Sequence, residues 1–358
     1  MQRINVTKTF LPPQEEYDAY VKGIWERDWL TNQGPLILEL EQKLAAREGV
    51  PNLQVVANGT LALQLALKSL DINDGEVITT PFSYVATTSA ILWQNCQPVF
   101  VDIEPDTFCI DPAKIEAAIT PRTKAILPVH VFGNACDVER IHQIADKHGL
   151  KVIYDAAHAF GASYGGKSLV SYGDISICSF HATKVFHTIE GGALIAKDPA
   201  VAEKIDLLKR FGHTGDEHFM LGINAKASEF HAAMGLANLK YIESNIAARK
   251  QIYQEYAELL PSGYRRPLIR DGETYNYAYY PLLLESEAEL KRVTAALNAQ
   301  NVYPRRYFYP SLNKLPYIRP AQSLPISEDI ALRILCLPLY TGLMRSEIEM
   351  ICQALPQK

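Results

Sequence analysis

The sequence predicts an α/β protein, with a mostly parallel seven-stranded sheet in a large domain and a smaller α+β domain toward the C-terminus. Three observations lead there. Between about residues 50 and 200, short β-branched runs alternate with helical patterns, which is how βαβ units read. A Pro-Ser-Gly stop at 261–263 then separates this region from a tail rich in tyrosine and proline. At 358 residues the chain also exceeds what most single cores fill.

The expected strands are 54–57, 76–79, 97–101, 125–128, 151–154, 175–180 and 193–196. The expected helices among them are 60–70, 84–93, 112–119 and 137–148, where apolar residues recur at spacings of three and four and so share one face. A loop around 210–224 leads into one long amphipathic helix from 228 to about 256. Beyond it come a tyrosine-rich strand in YNYAYYPLLL (275–284), a helix over 286–298, a Pro-and-aromatic loop and a final helix from about 346. The division that follows is a large domain over 1–245, including the N-terminal segment, and a small domain over 246–358.

Composition narrows the function classes. The chain is 48% hydrophobic and 21% charged, with net charge −5 and no block of like charge, so neither a nucleic-acid groove nor a membrane-surface patch is expected. Six scattered cysteines form no C-x-x-C pair and have no histidine at ligand spacing. They read as buried thiols of a reducing compartment, and no metal site is expected. The opening MQRINVTKTFLPP lacks a signal peptide's apolar stretch, and no later run approaches the roughly 20 apolar residues that span a bilayer. A cytoplasmic location is expected, with small molecules or copies of the chain itself as partners.

One pattern misleads. Gly161-Ala-Ser-Tyr-Gly-Gly-Lys-Ser satisfies the phosphate-loop expression G-x-x-x-x-G-K-[ST], but Lys167 and Ser168 run on toward a strand. A phosphate loop must open into a helix whose first N–H groups face the anion. A better cradle is Asn58-Gly59-Thr60, between the strand QVVA and the helical LALQLALKSL. Glycine lets the backbone approach an anion and the first helical amides stay unpaired, although the same triplet is also an ordinary helix cap. Asp155 ends the strand KVIYD, and the strand over 175–180 delivers Ser179 to Lys184 to the same sheet edge, where ligands of open α/β sheets bind. A lysine among small and apolar groups can have its ammonium pKa lowered by desolvation and attack carbonyls, although a lone lysine is more often a solvated surface charge and Asp155 could instead cap the AAHA turn.

A phosphate cup, a Schiff-base lysine and a carboxylate for a ring nitrogen are together what pyridoxal 5′-phosphate requires. Tyr84 follows the second strand, where a flat side chain could lie against the ring. Gly191-Gly192 would let the returning strand pass close by.

These segments resemble the DegT/DnrJ/StrS family of nucleoside-diphosphate-sugar aminotransferases, in the fold-type I group of PLP enzymes. The resemblance runs from WLTNQGP through NGT, TPFSYVATTSAIL, PVFVDIEPDTFCID, PVHVFGNACD, DAAHAFGA, SFHATK and EGGA to LGINAKASEFHAAMGL and LPLY, nearly the whole chain. It implies Lys184 as the Schiff-base lysine and proton shuttle, Asp155 as the ring-nitrogen partner and Tyr84 as the stacking residue. It also implies Gly59, Thr60 and Ser179 on the phosphate and His158 near the phenolic oxygen. Asn224 would reach the neighbouring subunit's phosphate, so a homodimer with shared active sites is implied.

Where many relatives read N-Y-R-M-S-E, this chain has Asn224-Ala225-Lys226-Ala227-Ser228-Glu229, so a point charge at Lys226 replaces a planar fork. Ile189 stands where glycine commonly precedes E-G-G. Thr31, Asn32 and Gly34 sit where the family closes over the sugar, and Arg305, Arg306, Tyr307 and Tyr309 of VYPRRYFYPSLNKLPY are candidates for diphosphate and base contact. The tyrosines of YNYAYYPLLL are assigned to packing, and neither His181 nor His187 is assigned a catalytic role.

The implied reaction is ping-pong, with glutamate as amino donor and pyridoxamine 5′-phosphate as the intermediate cofactor form. SFHATKVFHTIEGG is most similar to members that aminate dTDP-4-keto-6-deoxy-D-glucose to a dTDP-4-amino-4,6-dideoxy sugar for O-antigen or similar glycans. A 3-aminotransferase acting on a dTDP-3-keto-6-deoxyhexose is the alternative. A sugar dehydratase of the same scaffold, in which histidine replaces the lysine, and a non-catalytic homologue are lesser ones.

Overall fold

The computed structural model describes residues 3–261 and 263–356. Strands Leu53–Val56, Glu76–Thr79, Gln97–Phe100, Thr123–Leu127, Lys151–Asp155, Ile175–Ser179 and Gly192–Ala196 form one seven-stranded sheet. In space their order is first, seventh, sixth, fifth, fourth, second, third. Neighbours pair in parallel except at Gly192–Ala196, which is antiparallel to both strands beside it.

The middles of the strands are apolar because both faces of the sheet are covered, and charged residues such as Glu76, Lys124 and Lys151 stand near their starts. Side chains alternate between faces with a period of two. Val55 and Cys178 therefore enter the core holding Ile37, Leu40 and Leu236, while their neighbours Val56 and Ile177 enter the one holding Leu63, Ala66 and Ile205. Fully burying each such Leu or Ile contributes roughly 2 kcal/mol. The helix Gly59–Ser69 starts where Asn58 Oδ1 accepts the Leu61 N–H at 2.9 Å, and it buries Leu63, Ala66 and Leu67 against the sheet.

Several elements differ from the sequence expectation. The helix expected over 228–256 is two, Glu229–Leu239 and Ile242–Leu259, because Tyr241 leaves helical angles at φ −108°, ψ 0°. Both residues at the break are anchored elsewhere: Lys240 Nζ lies 2.7 Å from Glu16, and the Tyr241 hydroxyl donates to the same carboxylate. Residues 112–119 form two short 3-10 turns, Pro112–Lys114 and Glu116–Ala118, since extended Ile119 and then Pro121 leave no room for an α-helix. Helices Gln14–Arg27, Pro35–Glu48 and Pro325–Arg333 were not expected. The false phosphate loop is a hairpin, with Ser163–Tyr164 paired to Lys167–Ser168 across Gly165 and Gly166, both at positive φ.

In the tail, Tyr280–Leu283 pairs antiparallel with Ile334–Leu337. Their shared core takes Leu290 from the helix Glu287–Ala299 and Ile348 from Arg345–Gln353. Ile4 joins that core, and Ile4–Asn5 pairs in parallel with Val302–Tyr303, so the start of the described chain packs with the tail and not with the sheet. The division expected at 245/246 falls inside the helix Ile242–Leu259, whose Ile242 packs with the large-domain core and whose Ile252 and Tyr256 pack with the small. Ser262 of the expected Pro-Ser-Gly stop lies outside the described residues.

Candidate active site

Parallel strands deliver their carboxyl ends to one edge, and a cavity of about 320 Å³ opens there. The Asn58–Thr60 turn forms one wall. The first intrahelical bond runs from Ala62 N to Asn58 O, so the Gly59 and Thr60 amides precede the bonded ladder and are oriented to receive an anion. Ser179 stands beside them: a Cβ added to Gly59 would lie 3.1 Å from the Ser179 Cβ.

Gly192 begins the antiparallel strand at this same edge, opposite both Ser179 and Val56. A Cβ there would lie 2.6 Å from the Asn58 carbonyl carbon and 2.7 Å from Gly59 N. The glycine thus makes room for the backbone of the Asn58–Thr60 turn.

Asp155 lines the cavity from the end of its strand, 5% exposed. Its Oδ2 accepts the Thr87 hydroxyl at 2.7 Å and its Oδ1 accepts the Ala157 N–H at 3.1 Å. Burial raises its carboxyl above the ordinary range, opposed by those two bonds and by the charge of Lys184. Lys184 projects into the same cavity from the loop between Ile175–Ser179 and Gly192–Ala196. The bonds Phe180 N to Gly191 O and Thr188 N to Phe180 O close that loop, and Phe180 and Phe186 pack edge to face beneath it. Burial pushes the Lys184 ammonium down to about 8, against the pull of Asp155.

His158 also faces the cavity. Its ring stacks on Phe308 at 5.6 Å and meets the edge of Tyr279, while its buried Nδ1 has no hydrogen-bond partner among the described residues. Burial, then Lys184, holds the imidazole well below its ordinary pKa, so it is neutral. Tyr84 stands at the N-cap of the helix Val85–Trp93 and is 60% exposed where it lines the cavity. Arg305 and Tyr307 line the outer part, with the guanidinium 5.4 Å from the tyrosine ring. The loop's His181 and Glu190 lie 3.5 Å apart at the same cavity, and Ile189, immediately before Glu190, adopts φ 71°, a costly angle for a β-branched side chain.

Seven expected residues lie outside it. Asn224 is exposed and accepts a hydrogen bond from Lys226 Nζ at 2.8 Å, and Lys226 lies over Phe211. Thr31 and Asn32 are exposed, and Gly34 caps the helix Pro35–Glu48, where a Cβ would meet the Glu229 carboxylate at 2.5 Å. Tyr309 carries the Arg306 guanidinium at 3.5 Å, and Arg306 is bound to Glu287 at 3.1 Å, away from the cavity.

Thr87, Tyr279 and Phe308 escaped the sequence reading. Tyr279, which the alternation in YNYAYYPLLL assigns to packing, lines the cavity against His158. A signal for Thr87 existed: Ser83, Tyr84 and Thr87 recur at spacings that share a face as a helix begins. A larger cleft, of about 730 Å³, lies between the helix Val138–His148 and residues 171–174 and holds none of these groups.

The pattern of the DegT/DnrJ/EryC1/StrS aminotransferase family matches residues 13–356. The dTDP-4-amino-4,6-dideoxy-D-glucose transaminase of Escherichia coli is 45% identical over 353 residues, covering 95% of this chain and 94% of that protein. The Shigella dysenteriae transaminase of the same name is 41% identical over 356 residues, 97% of each chain. Among solved structures, DesI in the presence of its TDP-sugar product matches with a TM-score of 0.93 at 33% identity, over 99% of this chain and 92% of that one. On sequence and fold together, the chain belongs to the DegT/DnrJ/EryC1/StrS aminotransferase family.

Proposed function

We propose that this chain binds pyridoxal 5′-phosphate in the cavity and transfers an amino group from glutamate to dTDP-4-keto-6-deoxy-D-glucose, giving a dTDP-4-amino-4,6-dideoxy sugar. The observation that carries the cofactor reading is the meeting of Lys184, Asp155 and the Asn58–Thr60 turn around one cavity. The sugar is inferred from the two transaminases, 45% and 41% identical, that bear its name.

The residues present fit the cofactor. The amides of Gly59 and Thr60 and the Ser179 hydroxyl would hold its phosphate, and the partnerless Nδ1 shows that His158 has hydrogen-bonding capacity the protein leaves unused. Asp155, with both oxygens anchored, would hold the proton of the ring nitrogen, and Tyr84 offers a flat face. When bound, the cofactor supplies an electron sink that makes the donor's α-carbon acidic.

Lys184 Nζ then moves the proton. With its pKa near 8, about a tenth of this amine is neutral at pH 7, against well under a thousandth for an ordinary lysine. The same lowered pKa makes it a nucleophile and a competent leaving group. Arg305 forms no ion pair among the described residues, so its charge is available to an anionic substrate at the cavity mouth.

The reading includes a homodimer in which Asn224 completes the partner's site. Support comes from Asn224 being exposed outside its own cavity, on a segment that also exposes Phe211, Leu221 and Ile223. No helix among the described residues is long and apolar enough to cross a membrane, in keeping with the cytoplasmic location we infer.

The test is to load purified protein with pyridoxal 5′-phosphate, convert it with glutamate, remove the donor and add either the 4-keto or a 3-keto dTDP sugar. Mass spectrometry should find the amine on the 4-keto sugar. A protein that takes up no cofactor, or one that aminates only keto acids, would refute the proposal.

A further inference from the structure

We propose that Ser83 and Thr87 form a positioning relay for Asp155, holding the carboxylate that the cofactor's ring nitrogen needs; this rests on the cofactor reading above. The three side chains are 2%, 0% and 5% exposed, so water does not compete for their bonds. Ser83 Oγ lies 2.8 Å from Thr87 Oγ1, which lies 2.7 Å from Asp155 Oδ2.

The direction of the chain follows from donor counting. An ionised carboxylate only accepts, so Thr87 spends its single proton on Asp155. Its oxygen must then accept from Ser83, whose own lone pairs are left toward the cavity that Ser83 lines. Ala157 N–H occupies the other carboxylate oxygen at 3.1 Å, so Asp155 is gripped at both ends and cannot rotate about its last bond without losing one.

The relay shares a helical turn with the stacking candidate. Thr87 N donates to Tyr84 O at 3.3 Å, which ties the hydroxyl to the cap of the helix Val85–Trp93. A buried β-branched residue in a first turn brings no helix propensity, and valine would fill the same volume, so the hydroxyl itself explains threonine at this position. Lys184, from the loop after Ile175–Ser179, favours the ionised form of Asp155, and would lose its ammonium charge on bonding to the cofactor, leaving the Thr87 hydroxyl and the Ala157 amide as the remaining support.

The test uses 4′-deoxypyridoxine 5′-phosphate, which keeps the ring nitrogen and phosphate but has no carbonyl with which Lys184 can react. Calorimetric titration of the apoprotein should show Thr87→Val binding this probe about tenfold more weakly than wild type, the size expected for one lost bond to a charged acceptor. Thr87→Ser should restore binding to within about threefold, and Ser83→Ala should weaken it by about threefold, since it removes only the outer link. Inorganic phosphate should bind all variants alike.

Equal loss of probe and phosphate in Thr87→Val would mean a disturbed turn and would overturn the relay, as would wild-type affinity for the probe in both Thr87→Val and Ser83→Ala. If Thr87→Val does not fold, Ser83→Ala decides by the same comparison. Wild-type protein that binds phosphate but not the probe would overturn the cofactor reading itself.

Discussion

Replacing Lys184 by methionine should stabilise the apoprotein at neutral pH, although it removes the group on which the proposed chemistry turns. The cause is burial, which lowers this ammonium from 10.5 to about 8. At about 1.4 kcal/mol for each tenfold change in proton affinity, keeping the charge in the folded state at pH 7 costs up to about 3 kcal/mol. Two effects reduce the gain: Lys184 retains partial solvent contact, and its removal takes a cation from Asp155, whose carboxyl burial already disfavours. A net gain of about 1–2 kcal/mol is expected. The sign follows from proton counts: between pH 8 and 10.5 the unfolded lysine binds more protons than the folded one, so wild-type stability rises with pH across that window. Urea unfolding of apo wild type and Lys184→Met at pH 7, 9 and 10.5 should therefore show an advantage that shrinks as pH rises. A variant no more stable at pH 7, or an advantage that does not change with pH, would refute a desolvated ammonium.

Gly192→Ala puts a methyl 2.6 Å from the Asn58 carbonyl carbon, and should cost about 1–3 kcal/mol in urea unfolding while weakening phosphate binding at the displaced turn. Glu229 is fully buried and accepts the N–H groups of Leu36 and Ile37, each at 3.0 Å. Glu229→Ala leaves both amides unpaired and should cost about 3–5 kcal/mol, seen as a lower urea midpoint with little change in slope. If Asn224 serves the partner's site, mixing inactive Lys184→Ala with Asn224→Ala subunits should restore roughly a quarter of wild-type activity through heterodimers with one intact site, and no recovery would place Asn224 outside the partner's chemistry.

The candidate site was unevenly legible. Asp155, Ser179 and the Asn58–Thr60 turn could be assigned to one edge because each ends a strand, and parallel strands end together. Lys184 followed from Ser179, five residues away on the same loop. Arg305 and Tyr307 reach the cavity while their neighbours Arg306 and Tyr309 pair with each other, a choice made by Glu287 across the small domain that no local pattern reveals. A glycine signals a close approach without saying what approaches, and only the packed structure shows that Gly192 meets the Asn58–Gly59 backbone.

By itself the sequence determined the strand-and-helix alternation, the sheet edge on which chemistry collects and the residues whose strands end there, because all of these follow from periodicity over a few residues. Only the tertiary structure decided that Thr87 reaches Asp155 across 68 positions, that Phe308 and Tyr279 from the far part of the chain enclose His158, and that a helix breaks at Tyr241 to satisfy Glu16. Contacts between distant residues depend on how whole elements dock, and a hydroxyl or a ring carries no local mark of the partner it will meet.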